Sequence, residues 1–180
     1  MAASTFKTNP IDLIELLEDC HRGKLQLPDF QRSWVWDEDR IKSLIASISR
    51  SFPVGALMAL DTGGDVNFKP RPVEGAPVEA KNATPQSLLL DGQQRMTSLY
   101  QVTLRNKVVE TNKQKNKKVK RWFYIDIRKA LDPMIVREEA FVGVPEDKII
   151  RTDFGRDVSL DLSAPTKEYA ALMYPLTQVF

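Results

Sequence analysis

A chain of 180 residues with 26 Lys and Arg against 24 Asp and Glu suits one domain with a real core, not a disordered or strongly polyionic segment. Its one cysteine, Cys20, excludes an internal disulfide, and Cys20 beside the single histidine, His21, falls short of a zinc site. No apolar run approaches the length of a membrane span, and Met1-Ala2-Ala3-Ser4 leads to Lys7 and Pro10 without an apolar leader core, so a cytoplasmic protein is expected.

Asn9-Pro10 with Asp12 reads as the start of a first helix, an N-cap, a first-turn proline and an acid, with Ile11, Ile14 and Leu17 on one face. His21-Arg22-Gly23 ends it: two basic groups suit the negative terminus, and Gly23 can take the left-handed C′ conformation. That accounts for His21 without catalysis, and Cys20 is expected in the core. Lys24–Leu27 alternates like a short strand, which Pro28 stops. Asp29-Phe30-Gln31-Arg32-Ser33-Trp34-Val35-Trp36 then forms a loop or bent extended segment. A second helix covers 37–50, with Asp37, Glu38 and Asp39 in its first turn and an apolar face of Ile41, Leu44, Ile45 and Ile48. Phe52-Pro53 ends it, and Val54 to Leu60 reads as a buried strand.

Residues 61–85 carry Gly63, Gly64, Gly75, Pro70, Pro72, Pro77 and Pro85 with few large apolar groups, and read as a loop insertion. Leu88-Leu89-Leu90 has the continuity of a buried strand, while Met96, Leu99, Tyr100 and Thr103 recur at helical spacing. The chain therefore reads strand, turn, helix about Asp91-Gly92. Residues 105–121 hold eight basic side chains against one acid, Glu110, so this stretch is +7 in a chain of net +2 and the remainder is −5. It is either a solvated hairpin or loop, or the footprint of a polyanion with Lys113, Lys115, Lys117, Lys118 and Lys120 as contacts. Arg121–Ile127 is a strong strand signal. Residues 128–180 are less regular, with apolar patches at 141–144 and 174–180. An end so apolar leads us to expect further helical sequence, with 1–180 a single α/β domain at the N-terminal side of a longer protein.

The chemistry is expected at the strand-to-helix turn. A helix start presents unpaired N–H groups and the positive end of its dipole, which suits a phosphate. Gly92 would let the backbone approach the ligand, and Arg95 would add a planar cationic fork one turn on. Gln93 and Gln94 are not what a capping box requires, yet a plain cap stands beside phosphate binding as an alternative. Gln31-Arg32 repeats the pair of side chains beyond another short strand, and the two pairs converge if their strands are neighbours. Alternatively Arg32 pairs with Asp37 or Asp39. Trp34 and Trp36 share a face in an extended segment, as core or as a base-stacking platform. There is no P-loop, and one histidine allows no His-metal nuclease motif here. Hydrolysis would use Asp91 or another carboxylate, through a divalent metal or a positioned water.

Leu27-Pro28-Asp29-Phe30-Gln31-Arg32 with Trp36, the helix 37–50, Phe52-Pro53-Val54-Gly55, and Leu90-Asp91-Gly92-Gln93-Gln94-Arg95-Met96-Thr97-Ser98-Leu99 resemble, in word and order, the GmrSD-type DGQQR domain. The resemblance implies a ParB/sulfiredoxin-like small mixed sheet packed with helices, in which a Gly-x-x-Arg turn holds nucleotide phosphates; here Gly92-Gln93-Gln94-Arg95 occupies that place. It further implies a regulatory domain that binds and hydrolyses a nucleoside triphosphate in a modification-dependent restriction system. Asp91, Gln94 and Arg95 would be catalytic, Gln31, Arg32, Gly92, Gln93 and Arg95 would bind nucleotide, and Mg2+ would sit at Asp91. The implied partners are DNA, modified or not, and a His-Asn-His nuclease domain or subunit outside this chain, with self-association a further candidate. The alternative is a non-catalytic ParB-like module that holds nucleotide or DNA as a switch.

Overall fold

In the computed structural model, which describes residues 10–64, 68–113 and 117–180, the first helix (α1) covers Leu13–Arg22. It starts later than Asn9-Pro10 suggests, with Asp12 at the N-cap and no side-chain cap bond, and Asn9 lies outside the described residues. Its end is as the sequence predicts: Gly23 takes φ 73°, Gly23 N–H donates to Cys20 O and Lys24 N–H to Asp19 O. Leu17 and Cys20 are buried. Strand β1 (Leu25–Pro28) follows at once. Helix α2 (Glu38–Ser49) opens on Asp37, whose carboxylate accepts the Arg40 N–H at 2.9 Å, and buries Ile41, Leu44, Ile45 and Ala46.

Two expectations are corrected in the next stretch. The strand read over Val54 to Leu60 is only Met58–Asp61 (β2), and residues 55–59 are exposed. β2 lies at a sheet edge, where an apolar run need not be covered on both faces. Residues 61–85 are more than a loop: Pro70–Arg71 (β3) pairs antiparallel with β1, Val78–Asn82 (α3) is helical, and Val73 and Ala80 are buried. The buried Gln26 side chain anchors this segment, its amide nitrogen lying 2.9–3.1 Å from the carbonyls of Gly23, Ala80 and Ala83.

Ser87–Asp91 (β4) completes a four-stranded sheet in the order β2-β4-β1-β3, with β1 and β4 parallel neighbours. Helix α4 (Gln93–Leu99) leaves β4 after Gly92 and continues through a π-helical turn, Tyr100–Leu104. The basic stretch is a hairpin of Val109–Lys113 (β5) and Lys117–Asp126 (β6). After Ile127–Leu131 (α5) come Phe141–Pro145 (β7), a hairpin of Ile149–Thr152 (β8) and Asp157–Asp161 (β9), Pro165–Ala171 (α6) and Met173–Pro175 (β10). β7 and β10 both pair with β6. The fold is thus mixed α/β.

β6 divides the core by its alternation. Phe123 and Ile125 join the main cluster with Leu17, Leu27, Ile41 and Tyr100, while Trp122 and Tyr124 face a smaller one with Val144, Leu162 and Met173. Among the described residues no helix is long and apolar enough to cross a membrane.

Candidate functional site

The sheet order brings the two Gln-Arg segments together. Because β1 and β4 run parallel side by side, the chain leaves both strands at the same end of the sheet. There, Phe30, Gln31, Arg32, Trp36 and residues 90–95 line one cleft of about 410 Å³. The turn itself is as expected: Leu88 and Leu89 are buried, Gly92 takes φ 91°, and a helix starts at Gln93.

Inside the cleft the glutamines serve the backbone. Gln31 donates its amide hydrogens to Leu89 O at 2.8 Å and Leu90 O at 2.9 Å. Gln93 donates to Arg32 O at 2.6 Å; Gln94 donates to Ser33 O at 3.2 Å and accepts from Val35 N–H at 3.0 Å. Arg71, unseen as a site residue in sequence, reaches the carbonyls of Gln31 and Arg32 and pairs with Glu74, which accepts the Trp34 N–H. Eight hydrogen bonds involving side chains therefore fix residues 31–35 over the turn. No sequence signal marks Arg71 and Glu74, since they sit in a Pro- and Gly-rich stretch. Trp34 and Trp36 pack on the main core, and Trp34 donates to Ser98 Oγ at 2.9 Å, which favours the core reading of this pair.

Arg95 is also engaged. Its Nη1 donates to Val54 O at 2.6 Å and its Nη2 to Ala56 O at 2.8 Å, and Nη2 lies 3.4 Å from Asp91 Oδ2. Gly92 admits a neighbour, but the neighbour is protein: a Cβ there would collide with Leu57 Cδ2. The signal for this segment was present in sequence, as Phe52-Pro53-Val54-Gly55.

What remains open to a ligand is a short set of groups. Arg32 is exposed, and among the described residues its side chain has no hydrogen-bond or ion-pair partner, so the expected pairing with Asp37 or Asp39 is not formed; Asp37 caps α2 and faces Arg40. Gln31 Oε1, an acceptor, is buried without a partner among the described residues and adds nothing to an anion site. No side chain caps the first turn of α4, and the Asp91 carboxylate is 70% exposed. Free donors and a cation favour an anion here, and Asp91 adds one carboxylate. Among the described residues no group of three or more His, Cys, Asp or Glu could hold a metal, so Asp91 would contribute one ligand among several supplied from elsewhere.

The basic strip is partly neutralised. Lys118 pairs with Glu110 at 2.6 Å, holding that carboxyl below its ordinary range, and Lys120 pairs with Glu146 at 2.8 Å, which pushes the amine up. Arg121 reaches Glu38 of α2. Lys115 and the side chains of Lys113 and Lys117 lie outside the described residues. His21 Nδ1 is 2.9 Å from Tyr100 Oη, a packing role, and burial pushes the Cys20 thiol up to about 12, so it is an inert core residue.

A stretch of 93 residues is 34% identical to an uncharacterized protein of Methanocaldococcus jannaschii, covering 49% of this chain and 16% of that protein. The matched region is thus a small part of its relative. No solved structure matches the chain. Residues 13–162 match the family described as "GmrSD restriction endonuclease, N-terminal domain", and on that match, which spans the whole cleft and the buried residues of both core clusters except Met173 and Leu176, the chain belongs to this family.

Proposed function

We propose that the cleft binds a nucleoside triphosphate and that the domain hydrolyses it to regulate a DNA-cleaving nuclease located outside residues 1–180. The observation that carries this is the convergence of unpartnered anion-binding groups, Arg32 and the uncapped first turn of α4, on one cleft with an exposed carboxylate. The first-turn amides and Arg32 hold the phosphates, with the Arg95 charge beside them. Gln31, Gln93 and Gln94 shape the cleft by fixing residues 31–35. Asp91 orients the attacking water or offers one ligand to Mg2+, an ion that commonly takes its remaining ligands from phosphates and water.

Family membership supports the larger setting, a restriction and phage-defence system of the modification-dependent type, with DNA as the target of its partner nuclease. The exposed face of the β5–β6 hairpin that carries Lys118 and Lys120 is the surface offered to DNA phosphates.

Phosphate release measured with ATP, GTP, CTP and UTP, with and without modified DNA, tests the proposal. Turnover of at least one nucleotide is expected, falling by about 100-fold or more in Asp91→Ala and Arg32→Ala with the fold retained. Parent-like turnover in both variants would place the site elsewhere. One feature favours the non-catalytic switch: among the described residues Asp91 is the only carboxylate lining the cleft. Tight nucleotide binding with no phosphate release would establish that reading instead.

A further inference from the structure

We infer that Arg95 is a positioning residue, which locks the β4–α4 turn to a brace formed by residues 53–57 and so sets the direction of the first-turn N–H groups and of Asp91. The inference rests on the nucleotide-binding reading of the cleft.

Three contacts define the lock. The two terminal nitrogens of Arg95 bond the carbonyls of Val54 and Ala56, two residues apart, so the planar fork is spent on the brace. A phosphate that needed this fork would have to displace two short, charge-assisted bonds. Gly55, between those carbonyls, takes φ 90°, and a Cβ there would stand 2.7 Å from Arg95 Nη1. From the other side Leu57 packs where Gly92 lacks a side chain, and Gly92 too is left-handed, at φ 91°. The brace and the turn are therefore each built with a glycine at the point of contact. No strand ladder holds residues 53–57, which begin after α2 and end where β2 starts at Met58. Val54 packs on the main core, and among the described residues the hydrogen bonds that fasten the segment come from Arg95. Its Nη2 also reaches Asp91 Oδ2, so the same side chain orients the cleft carboxylate of Asp91.

Lysine keeps the charge of arginine but carries its donors on one nitrogen and lacks the planar fork that sets two nitrogens on two carbonyls, which separates positioning from direct contact. The experiment combines amide hydrogen exchange over residues 53–58 with titration of a fluorescent GTP analogue, in the parent, Arg95→Lys, Arg95→Ala, Gly55→Ala and the Gly55→Ala/Arg95→Ala double variant. Circular dichroism confirms folding; Arg95→Lys serves should Gly55→Ala fail to fold. Faster exchange over 53–58 and affinity at least ten-fold weaker are expected in each single variant, with the double variant no weaker than Arg95→Ala because both changes undo one lock. Parent-like affinity in Arg95→Lys, or in Gly55→Ala with the brace freed, would overturn the inference and make Arg95 a direct ligand contact. Were the parent to bind none of the nucleotides, the reading of the cleft would fail by itself. Exchange would still judge the lock, and parent-like protection in Arg95→Lys and Gly55→Ala would refute it.

Discussion

Gly92, Gln93, Gln94 and Arg95 each spend their distinguishing chemistry on neighbouring protein: space for Leu57, a bond to Arg32 O, a pair of bonds to residues 33 and 35, and a fork on residues 54 and 56. Sequence reading identified these residues as special and assigned their polar groups to a ligand. The same donors that suit a phosphate also suit a carbonyl, and only coordinates tell which acceptor is in reach. Gly92→Ala puts a methyl into Leu57 and keeps a left-handed backbone that alanine resists. A loss of about 1–3 kcal/mol is expected, read as a lower urea midpoint with unchanged slope. Unchanged stability would mean that Leu57 yields freely.

Elements with strong periodicity were legible at once. α2 matches its forecast within one residue at each end, and β4, the turn and α4 follow the order read from Leu88 to Leu99. The weak regions were those where pairing, not composition, decides. β2 is an edge strand, and β3 is two residues that exist because β1 offers them a partner. In the second cluster α6 is fastened by the buried Glu168, which accepts Tyr124 Oη at 2.6 Å and pairs with Lys148 at 3.0 Å. Lys148 also lies over the Trp122 ring at 5.2 Å. Glu168→Ala strands a buried hydroxyl and a partly buried ammonium, and about 3 kcal/mol of destabilisation is expected in urea unfolding. A loss below about 1 kcal/mol would show that α6 is held by apolar packing alone.

Across the whole molecule, alkali attacks the two cores together. Burial pushes Cys20 and Tyr100 up to about 12, and burial with the bond to Glu168 raises Tyr124 as well. These groups are neutral in both states below about pH 8, so their contribution to stability is complete there. As pH climbs from about 8 towards 12 the unfolded chain releases their protons first, Cys20 ahead of the two tyrosines, which draws the equilibrium towards it. The urea midpoint should hold steady to about pH 8 and then decline. A flat profile through pH 11 would mean that none of the three resists ionisation in the fold.

Local physics, written along the chain, determined α1's glycine end, α2, the strand-turn-helix unit, the burial of Cys20, and the ordered words that mark the family. Those features depend on residues within a few positions of one another. The tertiary structure alone decided that β1 and β4 are parallel neighbours, and hence that Gln31-Arg32 and Asp91–Arg95 share a cleft. It alone also decided which of the polar groups are left without a protein partner at the cleft. Arg32 and Arg95 are the same residue type beside similar neighbours in sequence, yet among the described residues the first has no side-chain partner and the second is bound to carbonyls about 40 positions away. Hydrogen-bond partners so distant along the chain leave no local pattern to read.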